Sequence, residues 1–532
     1  MHTYPPLNLK TIVSLLGGRF PDNFLSLKDL PPPHAFKNMQ RASERLLQAI
    51  KSGERIVLVG DYDVDGVMAT AIVKRFFEAI DAPLETIIPN RFHDGYGLSP
   101  TVLERVEQAD VIVTVDNGIA ATEAAAICRD RGIDLIITDH HIAPETLPDA
   151  YAIVDQKQPE CTFPYEEVCG AQIAWYLCAA LNKALDAGVE MKRYLDMVAL
   201  ATIADMMPLL HINRAMVIAG LQQMERSEWP FVHAWREEQN KSHLRAEDLS
   251  FGLAPLINSA GRLEDASLAL DFVTAPNIHE ARSGYARLKA LNDERKRLEQ
   301  EVTDAAIAQT DEDAAVIVVS GEGWHEGVVG IAAARLVRRF ERPAIVLSQN
   351  GTTCKGSGRS WRECHLYDLL SSQRTSLLKF GGHKAAIGMS IAADGLTEFA
   401  AQLQRDAGDK CAQEETLDPD ILGELPFGLI TSELLRLLER FEPYGQGNPR
   451  PKFITRGATL AALQTMGAEK NHLRFTFESS GLYLQGVQFK TTATYPIGGH
   501  YDVVYTLNEN HFRGETTIQL MVEKIVKSND NS

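Results

Sequence analysis

The feature that most constrains the fold is an alternation of short β-branched runs with helix-length segments, several of the runs ending in acidic or imidazole side chains. Arg55 to Val59 (RIVLV), Leu84 to Ile88, Val111 to Val115 (VIVTV) and Leu135 to Ile137 (LII) read as strands. Residues 67–80 read as a helix, and an Ala-rich helix runs from Ala120 to Asp130. Short strands alternating with helices predict a mostly parallel sheet covered on both faces. In such a sheet, ligands bind beyond the carboxyl ends of the strands. Asp61, Asp63 and Asp65 (DYDVDG) follow the first run, Asp116 (DNG) follows VIVTV, and Asp139, His140 and His141 (DHH) follow LIIT. The three clusters are therefore expected to converge on one crevice.

So many carboxylates repel one another at neutral pH and need protonation or a cation to coexist. Mixed with imidazole, they suit Mn2+ or Mg2+ better than a thiolate-loving metal. The ligands suffice for two ions. A pair of ions roughly 3.5–4 Å apart can clamp the attacking and leaving oxygens of a phosphoryl transfer and activate water. Taken singly, each cluster has a plainer reading. D-x-D-x-D-G resembles part of a calcium loop, but the twelfth residue counted from Asp61 is Ile72, not the bidentate Glu such a loop requires. DNG alone is a turn, and DHH alone is a cap with two surface histidines. All three at strand ends favour a metal site.

Residues 1–50 read as an N-terminal segment, Pro-rich at Pro31, Pro32 and Pro33 and helical from Lys37 to Ile50. Residues 51–235 form the expected catalytic domain, mainly helical after Phe163, and 236–310 a helical connector with a charged stretch at 279–309. Ala315 to Val319 (AVIVV) restarts the βα pattern, giving a second, smaller α/β domain over 311–412. Over 413–532, a helix at 432–440 and the turn-rich Pro443 to Pro451 (PYGQGNPRP) precede period-two runs at Leu473–Phe477, Leu482–Phe489, Tyr501–Thr506 and Thr516–Val522. That spacing predicts an OB-like β-barrel. A chain of 532 residues exceeds one ordinary core, so three or four domains are expected. With no run of 18 apolar residues and no secretory pattern in MHTYPPLNLK, neither a membrane span nor export is expected, which leaves the cytoplasm. Cysteines 128, 161, 169, 178, 354, 364 and 411 form no C-x-x-C pair and suit reduced thiols. A net charge of −18 weighs against a protein that coats nucleic acid, but not against an enzyme with a locally basic groove.

Further motifs run in order along the chain: Asn90 to Gly97 (NRFHDGYG), Asn258 to Ala266 (NSAGRLEDA), Trp324 to Gly330 (WHEGVVG), Lys355 to Ser360 (KGSGRS), Gly381 to Gly388 (GGHKAAIG) and Tyr444 to Pro449 (YGQGNP). With the strand-end clusters, they make the chain resemble the DHH phosphoesterase superfamily. Within it, the match is to the RecJ family of single-strand-specific 5′→3′ exodeoxyribonucleases, over nearly the whole chain from about residue 37. The resemblance implies an α/β protein with a parallel-sheet DHH domain, a DHHA1-like substrate-binding domain and an OB-like barrel. It implies release of mononucleotides by two-metal hydrolysis in DNA recombination and repair. Leu200 to Leu209 (LATIADMMPL) looks like the family's fourth acidic motif and brings Asp205 to the site.

By this resemblance Asp63, Asp65, Asp116, His140 and Asp205 are metal ligands for two Mn2+ or Mg2+ ions. Asp61 counts with the metal set and His141 with the catalytic set, one of them positioning water or a neighbouring ligand. Arg91, Arg262, Ser357 and Arg359 would grip the terminal 5′-phosphate and its neighbours, with His383 against the scissile phosphate. The implied partners are single-stranded DNA with a 5′ end and, for the family, a single-strand-binding protein and a helicase. The chain departs from the commoner pattern at His325-Glu326, where Pro more often follows His, and at Lys384-Ala385.

One alternative is a phosphodiesterase of the same superfamily for short oligonucleotides or cyclic dinucleotides, against which the length and the barrel speak. A second is a non-catalytic nucleic-acid-binding scaffold, which would have lost carboxylates that this chain keeps. Three features carry two readings. Lys289 to Arg297, with an Asp293–Arg297 pair, is a solvated connecting helix or a channel lining; Arg335, Arg338 and Arg339 are similar. Phe475, Phe477, Tyr483 and Phe489 are barrel core or base-stacking faces.

Overall fold

Strands β1 (Ile56–Val59), β2 (Glu85–Ile87), β3 (Val111–Val115), β4 (Asp134–Thr138) and β5 (Ala152–Val154) pair in the order β2-β1-β3-β4-β5, all parallel. The computed structural model describes residues 4–22, 24–239, 241, 243–408, 411, 418–467, 469–512 and 515–528. Ile56, Leu58, Val111 and Val113 enter one apolar cluster, while Val57, Val59 and Ile112 enter the cluster on the opposite face. Alternate residues of a strand point to opposite faces, so burial on both faces requires unbroken apolar runs. Helices α1 (Val64–Ala79), α2 (Thr122–Asp130), α3 (Gly170–Leu185), α4 (Leu195–Ala204) and α5 (His211–Glu225) follow. The strand order reverses between β1 and β3, so the loops leaving them diverge and open a crevice at their carboxyl ends.

Helix α4 is buried from Leu195 to Ile203, including Asp196. The Asp196 carboxylate accepts the Met197 N–H (2.8 Å) and the Ser227 hydroxyl (2.7 Å). Burial nevertheless pushes its carboxyl from 3.8 up to about 7. A raised folded-state pKa means that the native state binds the proton more tightly than the unfolded chain does. Stability from this group is therefore full below about 4 and declines as pH rises towards 7. Asp196→Asn keeps both hydrogen bonds without the charge. It is expected to raise stability at pH 8 by a few kcal/mol, at about 1.4 kcal/mol per pKa unit, and to change it little at pH 4. Thermal unfolding at the two pH values reads this difference; an equal shift at both would exonerate the charge.

The segment 1–50, expected as one unit, is divided between two cores. Leu7, Ile12, Leu16 and Phe20 pack into the C-terminal apolar cluster, and the Leu7 N–H donates to the Glu424 carbonyl (2.9 Å). The helix Met39–Ser52 instead packs Met39, Ala42, Leu46 and Ala49 on the parallel-sheet core. Periodicity marks a buried face but not the core that covers it.

Helix α6 (Ala254–Leu263) and the first half of α7 (Ile278–Gln309) pack on the same parallel-sheet core. The end of α7 instead offers Val302 and Ala306 to the next domain. At 32 residues, α7 spans about 48 Å. Its charged stretch is paired partly along the helix and partly with neighbouring elements, as in Lys289 with Glu238. Arg297 pairs with Glu294 and Glu301 in place of the expected Asp293, which takes Lys296, and Arg335 pairs with Glu299.

The second sheet comprises β6 (Ile317–Glu322), β7 (Ala344–Asn350), β8 (Thr353–Arg359), β9 (Lys379–Gly382) and β10 (Ala386–Ala392), ordered β6-β7-β8-β10-β9. Only β6 and β7 are parallel, joined by helix α8 (Glu326–Phe340). Helix α9 (Leu396–Ala407) lays Phe399 and Leu403 on this sheet's core. Just beyond it Cys411 forms a disulfide with Cys364. This corrects the expectation of seven reduced thiols: the pair is 47 residues apart in sequence and no spacing pattern announces it. The other five cysteines are free.

The third unit is a barrel of β11 (Ile421–Glu424), β12 (Lys452–Met466), β13 (His472–Ser479), β14 (Leu482–Gln488), β15 (His500–Phe512) and β16 (Glu515–Lys527). Their order is β11-β12-β13-β14-β16-β15, closed by pairing of β12 with β15. Phe475 and Phe477 lie in its core, whereas Tyr483 and Phe489 are exposed. Among the described residues no helix is long and apolar enough to cross a membrane.

Candidate metal centre

Asp63 caps α1: its Oδ1 accepts the N–H groups of Asp65 (2.9 Å) and Gly66 (3.2 Å). Capping holds Asp65 in the first helical turn, buried, with its carboxylate accepting the Gly170 (2.6 Å) and Ala171 (2.8 Å) N–H groups at the start of α3. A helix N-terminus favours a carboxylate there. Asp116 ends β3 in the left-handed region at φ +63°, its N–H bonded to the Thr138 carbonyl. A Cβ on Gly170 would lie 2.5 Å from that of Asp116, so only glycine lets α3 begin this close. Asp205 sits at the carboxyl end of α4.

Within DHH, Asp139 works on its neighbours. Its Oδ1 accepts the N–H groups of His140 (2.7 Å) and His141 (3.2 Å) and lies 2.7 Å from His141 Nδ1; Oδ2 accepts the Ile119 N–H (2.8 Å). The His141 ring is thereby aimed, and the His140 backbone held. His140 Nε2 reaches Asp116 Oδ1 at 3.0 Å, and Asp65 Oδ2 and Asp205 Oδ2 at 3.7 Å each. Three overlapping groups each place one atom per residue within 4.8 Å: Asp116, His140 and His141; Asp65, His140 and Asp205; Asp61, Asp63 and Asp116. The structure thus brings together every residue of the metal set expected from sequence.

The electrostatics fit a divalent cation. Burial, then the charge of Asp63, holds the Asp61 carboxyl well above the usual range; burial, then Asp65, Asp63 and Asp61, does the same for Asp116. Burial, then Asp65 and Asp63, pushes Asp205 up to about 8. Burial pushes His140 down to about 4, which leaves the neutral imidazole that ligates metals. Burial opposes the charged form of His141 too, but the hydrogen bond to Asp139 prevails and raises it to about 9. Among the described residues, the buried Asp61 Oδ1, Asp116 Oδ1 and Asp205 Oδ2 lack a hydrogen-bond partner. Oxygen atoms left unsatisfied in this way, with one imidazole, suit Mn2+ or Mg2+.

Facing this cluster, Arg91 lies 5.4 Å over the Tyr62 ring, and Arg262 Nη1 donates to the Gly327 carbonyl at the start of α8 (3.3 Å). On β8, Arg359 Nη1 donates to Ser357 Oγ (2.7 Å) and to the Gly358 carbonyl (2.9 Å). Among the described residues none of the three arginines forms a salt bridge. Burial, then the charge of Arg91, pushes Arg262 down to about 10, and the same two causes lower Arg359. His383, in the turn between β9 and β10, is held below its ordinary range by burial and by the charges of Arg359 and His141. Cations crowded without counter-charge make a pocket for an anion.

Three contributors escaped sequence reasoning. Buried Asn117 donates Nδ2 to the carbonyls of Val59, Gly60 and Val115 and accepts the Leu98 N–H, fastening β1, β3 and the NRFHDGYG loop together. The Tyr96 hydroxyl donates to the Asp116 carbonyl (3.3 Å) and meets the His141 ring. Lys157, beyond β5, adds positive charge felt by His140 and Asp205. Asn117 and Lys157 follow strand ends as the acidic residues do, whereas Tyr96 lies in a loop that no strand end marks.

Residues 55–202 match the DHH family N-terminal domain, 313–408 the DHHA1 domain and 421–524 the RecJ OB domain. The chain is 35% identical over 540 residues to the single-stranded-DNA-specific exonuclease RecJ of Escherichia coli, covering 94% of this chain and 92% of that protein. It is 34% identical over 517 residues to RecJ of Bacillus subtilis, covering 94% of this chain but only 65% of that protein. The crystal structure of Thermus thermophilus RecJ with Mn2+ superposes with a TM-score of 0.84 at 28% identity, covering 99% of this chain and 79% of that one. The same protein with Mg2+ gives 0.78 at 28% identity, covering 99% and 78%.

Proposed function

Because the chain belongs to the RecJ family of single-stranded-DNA-specific exonucleases, we propose that it hydrolyses single-stranded DNA from the 5′ end and releases mononucleotides. The observation that carries this reading is the convergence of Asp61, Asp63, Asp65, Asp116, His140 and Asp205 on one point, opposite Arg91, Arg262 and Arg359. Mn2+ or Mg2+, when bound, supplies Lewis-acid polarisation of the phosphate and lowers the pKa of water.

The chain's own residues do the rest. The carboxylates and the neutral His140 imidazole would hold the ions, and Asp139 fixes the His141 ring and the His140 backbone. The guanidinium groups of Arg262 and Arg359, with Ser357 Oγ, take the terminal 5′-phosphate, which sets the polarity of digestion. His141, oriented by Asp139, and His383, close enough to Arg359 and His141 to feel their charge, can bond the non-bridging oxygens or hold a proton. The exposed Tyr483 and Phe489 of the barrel offer stacking faces for a single strand. A place in DNA recombination and repair, a cytoplasmic location, and strand delivery by a single-strand-binding protein or a helicase accord with this substrate.

End-labelled single strands test the reading. With Mn2+ the 5′-labelled strand is expected to lose its label as a mononucleotide first, and chelator to stop digestion. Loss of a 3′ label first, or unimpaired digestion in chelator, would overturn it. Cleavage confined to dinucleotides would favour the short-oligonucleotide phosphodiesterase reading.

A further inference from the structure

The turn Gly445–Asn448, part of YGQGNP, has no place in the nuclease chemistry described above. We propose that it is a positioning element for Asp205, so that the barrel domain helps to set the metal site whatever contact it makes with DNA. The proposal rests on the assignment of Asp205 as a metal ligand.

The residues between Asp205 and α5 are held from two sides. Met206 turns at φ +55°, and the Leu209 N–H then donates to the Gln446 carbonyl of the barrel domain at 2.7 Å. The Leu209 side chain packs in the parallel-sheet core, while that of Leu210 packs against the barrel core. The Pro208 carbonyl accepts Asn213 Nδ2 (3.0 Å) from α5, and the His211 ring bonds Asp22, in the N-terminal segment that joins the barrel. Arg214, also on α5, donates to the Glu442 carbonyl (2.7 Å).

The turn itself is built to be stiff. Gly445 and Asn448 exchange backbone hydrogen bonds (2.9 and 3.2 Å). Asn448 is fully buried; its Nδ2 donates to the carbonyls of Phe441 (2.8 Å) and Pro443 (3.0 Å), and its Oδ1 accepts Arg19 Nη1 (3.0 Å). Gly447 has φ +73°, and a Cβ there would lie 3.1 Å from Pro208 Cβ; one on Gly445 would lie 2.7 Å from Leu209 Cδ1. A rigid turn thus abuts the segment that begins at Asp205. On the other side the last turn of α4 holds it, through the N–H bonds of Asp205 to Ala201 (2.9 Å), Met206 to Ile203 (3.2 Å) and Met207 to Thr202 (3.0 Å), so helix and turn grip the two ends of one short segment.

The test is Mn2+ binding to the full-length, metal-free protein, read by electron paramagnetic resonance of free Mn2+. Asn448→Ala and Gly445→Ala are expected to weaken binding about tenfold, the low end for groups that orient a ligand. The Mn2+ needed for half-maximal hydrolysis rises in step, while KM for single-stranded DNA stays at the parent value. Thr455→Val, which removes buried bonds to Leu425 and Tyr505 inside the barrel, is expected to lower Tm and leave Mn2+ binding intact. If Asn448→Ala does not fold, Arg19→Ala, which removes only the outer bonds to Asn448 and Pro449, carries the same expectation. Parent-like Mn2+ affinity in the turn variants beside weakened binding in Asp205→Ala overturns the positioning role alone. Parent-like affinity in Asp205→Ala overturns the ligand assignment with it. Equal weakening in Thr455→Val also overturns the proposal, because general loosening of the barrel would then explain it.

Discussion

Asp116→Ala is expected to lower the rate of hydrolysis at least about a thousandfold and to leave the fold intact. Asp116 belongs to two of the three candidate ligand groups, more than its position at one strand end would suggest. Removing it withdraws an oxygen from both, and metal-assisted charge stabilisation is worth several kcal/mol, each 1.4 kcal/mol being about tenfold in rate. The fold survives because the Asp116 side chain ties down no backbone group: its buried Oδ1 meets only the His140 ring, at 3.0 Å, in a site crowded with other carboxylates. Its backbone bonds, to Thr138 and Tyr96, remain. Asp116→Asn is the sharper variant, since asparagine tolerates the left-handed φ of +63° and keeps the volume next to Gly170. Single-turnover digestion of a 5′-labelled strand at saturating Mn2+, with circular dichroism as the control for folding, reads both expectations. Parent-like rates in either variant would remove Asp116 from the metal centre.

Arg359→Ala is expected to erase most of the preference for a 5′-phosphorylated end over a 5′-hydroxyl, by about ten- to a hundredfold. A charge-assisted hydrogen bond contributes about 1.5–3 kcal/mol, and a planar guanidinium can make two to one phosphate. Ser357 and the Gly358 carbonyl hold Arg359 by a single nitrogen, Nη1, which fixes its direction and leaves Nε and Nη2 for an anion. Its charge is strained rather than satisfied, because burial and Arg91 both lower its pKa, and a bound phosphate would relieve this. Arg359→Lys should recover only part of the effect, as a point charge lacks the fork. Competition between phosphorylated and unphosphorylated strands measures the ratio; an unchanged ratio would remove Arg359 from the pocket. The loss should shrink as salt rises, since phosphate contacts displace counterions.

The charged stretch of α7 shows the limits of a one-dimensional reading. An Asp293–Arg297 pair was legible as spacing, but Arg297 lies between Glu294 and Glu301 and takes both instead. The barrel aromatics divide the same way. Period two placed Phe475 and Phe477 on one face, yet only closure of β12 on β15 turned that face inward and left Tyr483 outside. No pattern linked Cys364 to Cys411, nor joined Leu7 to a strand more than four hundred residues away.

What the sequence determined by itself was the parallel sheet and the place of its chemistry. Apolar runs buried on both faces leave few topologies, and the carboxyl ends of β1, β3 and β4 must then carry Asp61, Asp63, Asp65, Asp116 and DHH to one edge. The tertiary structure decided what local periodicity cannot encode: which core covers each apolar face, and which distant groups meet. Asp205 reaches the cluster because α4 packs against α1 and α3, and Asp139 supports the site because its oxygens are taken by Ile119, His140 and His141. Hydrogen bonds and burial between segments hundreds of residues apart depend on three-dimensional closure, and the arrangement of neighbours in a sequence contains no record of it.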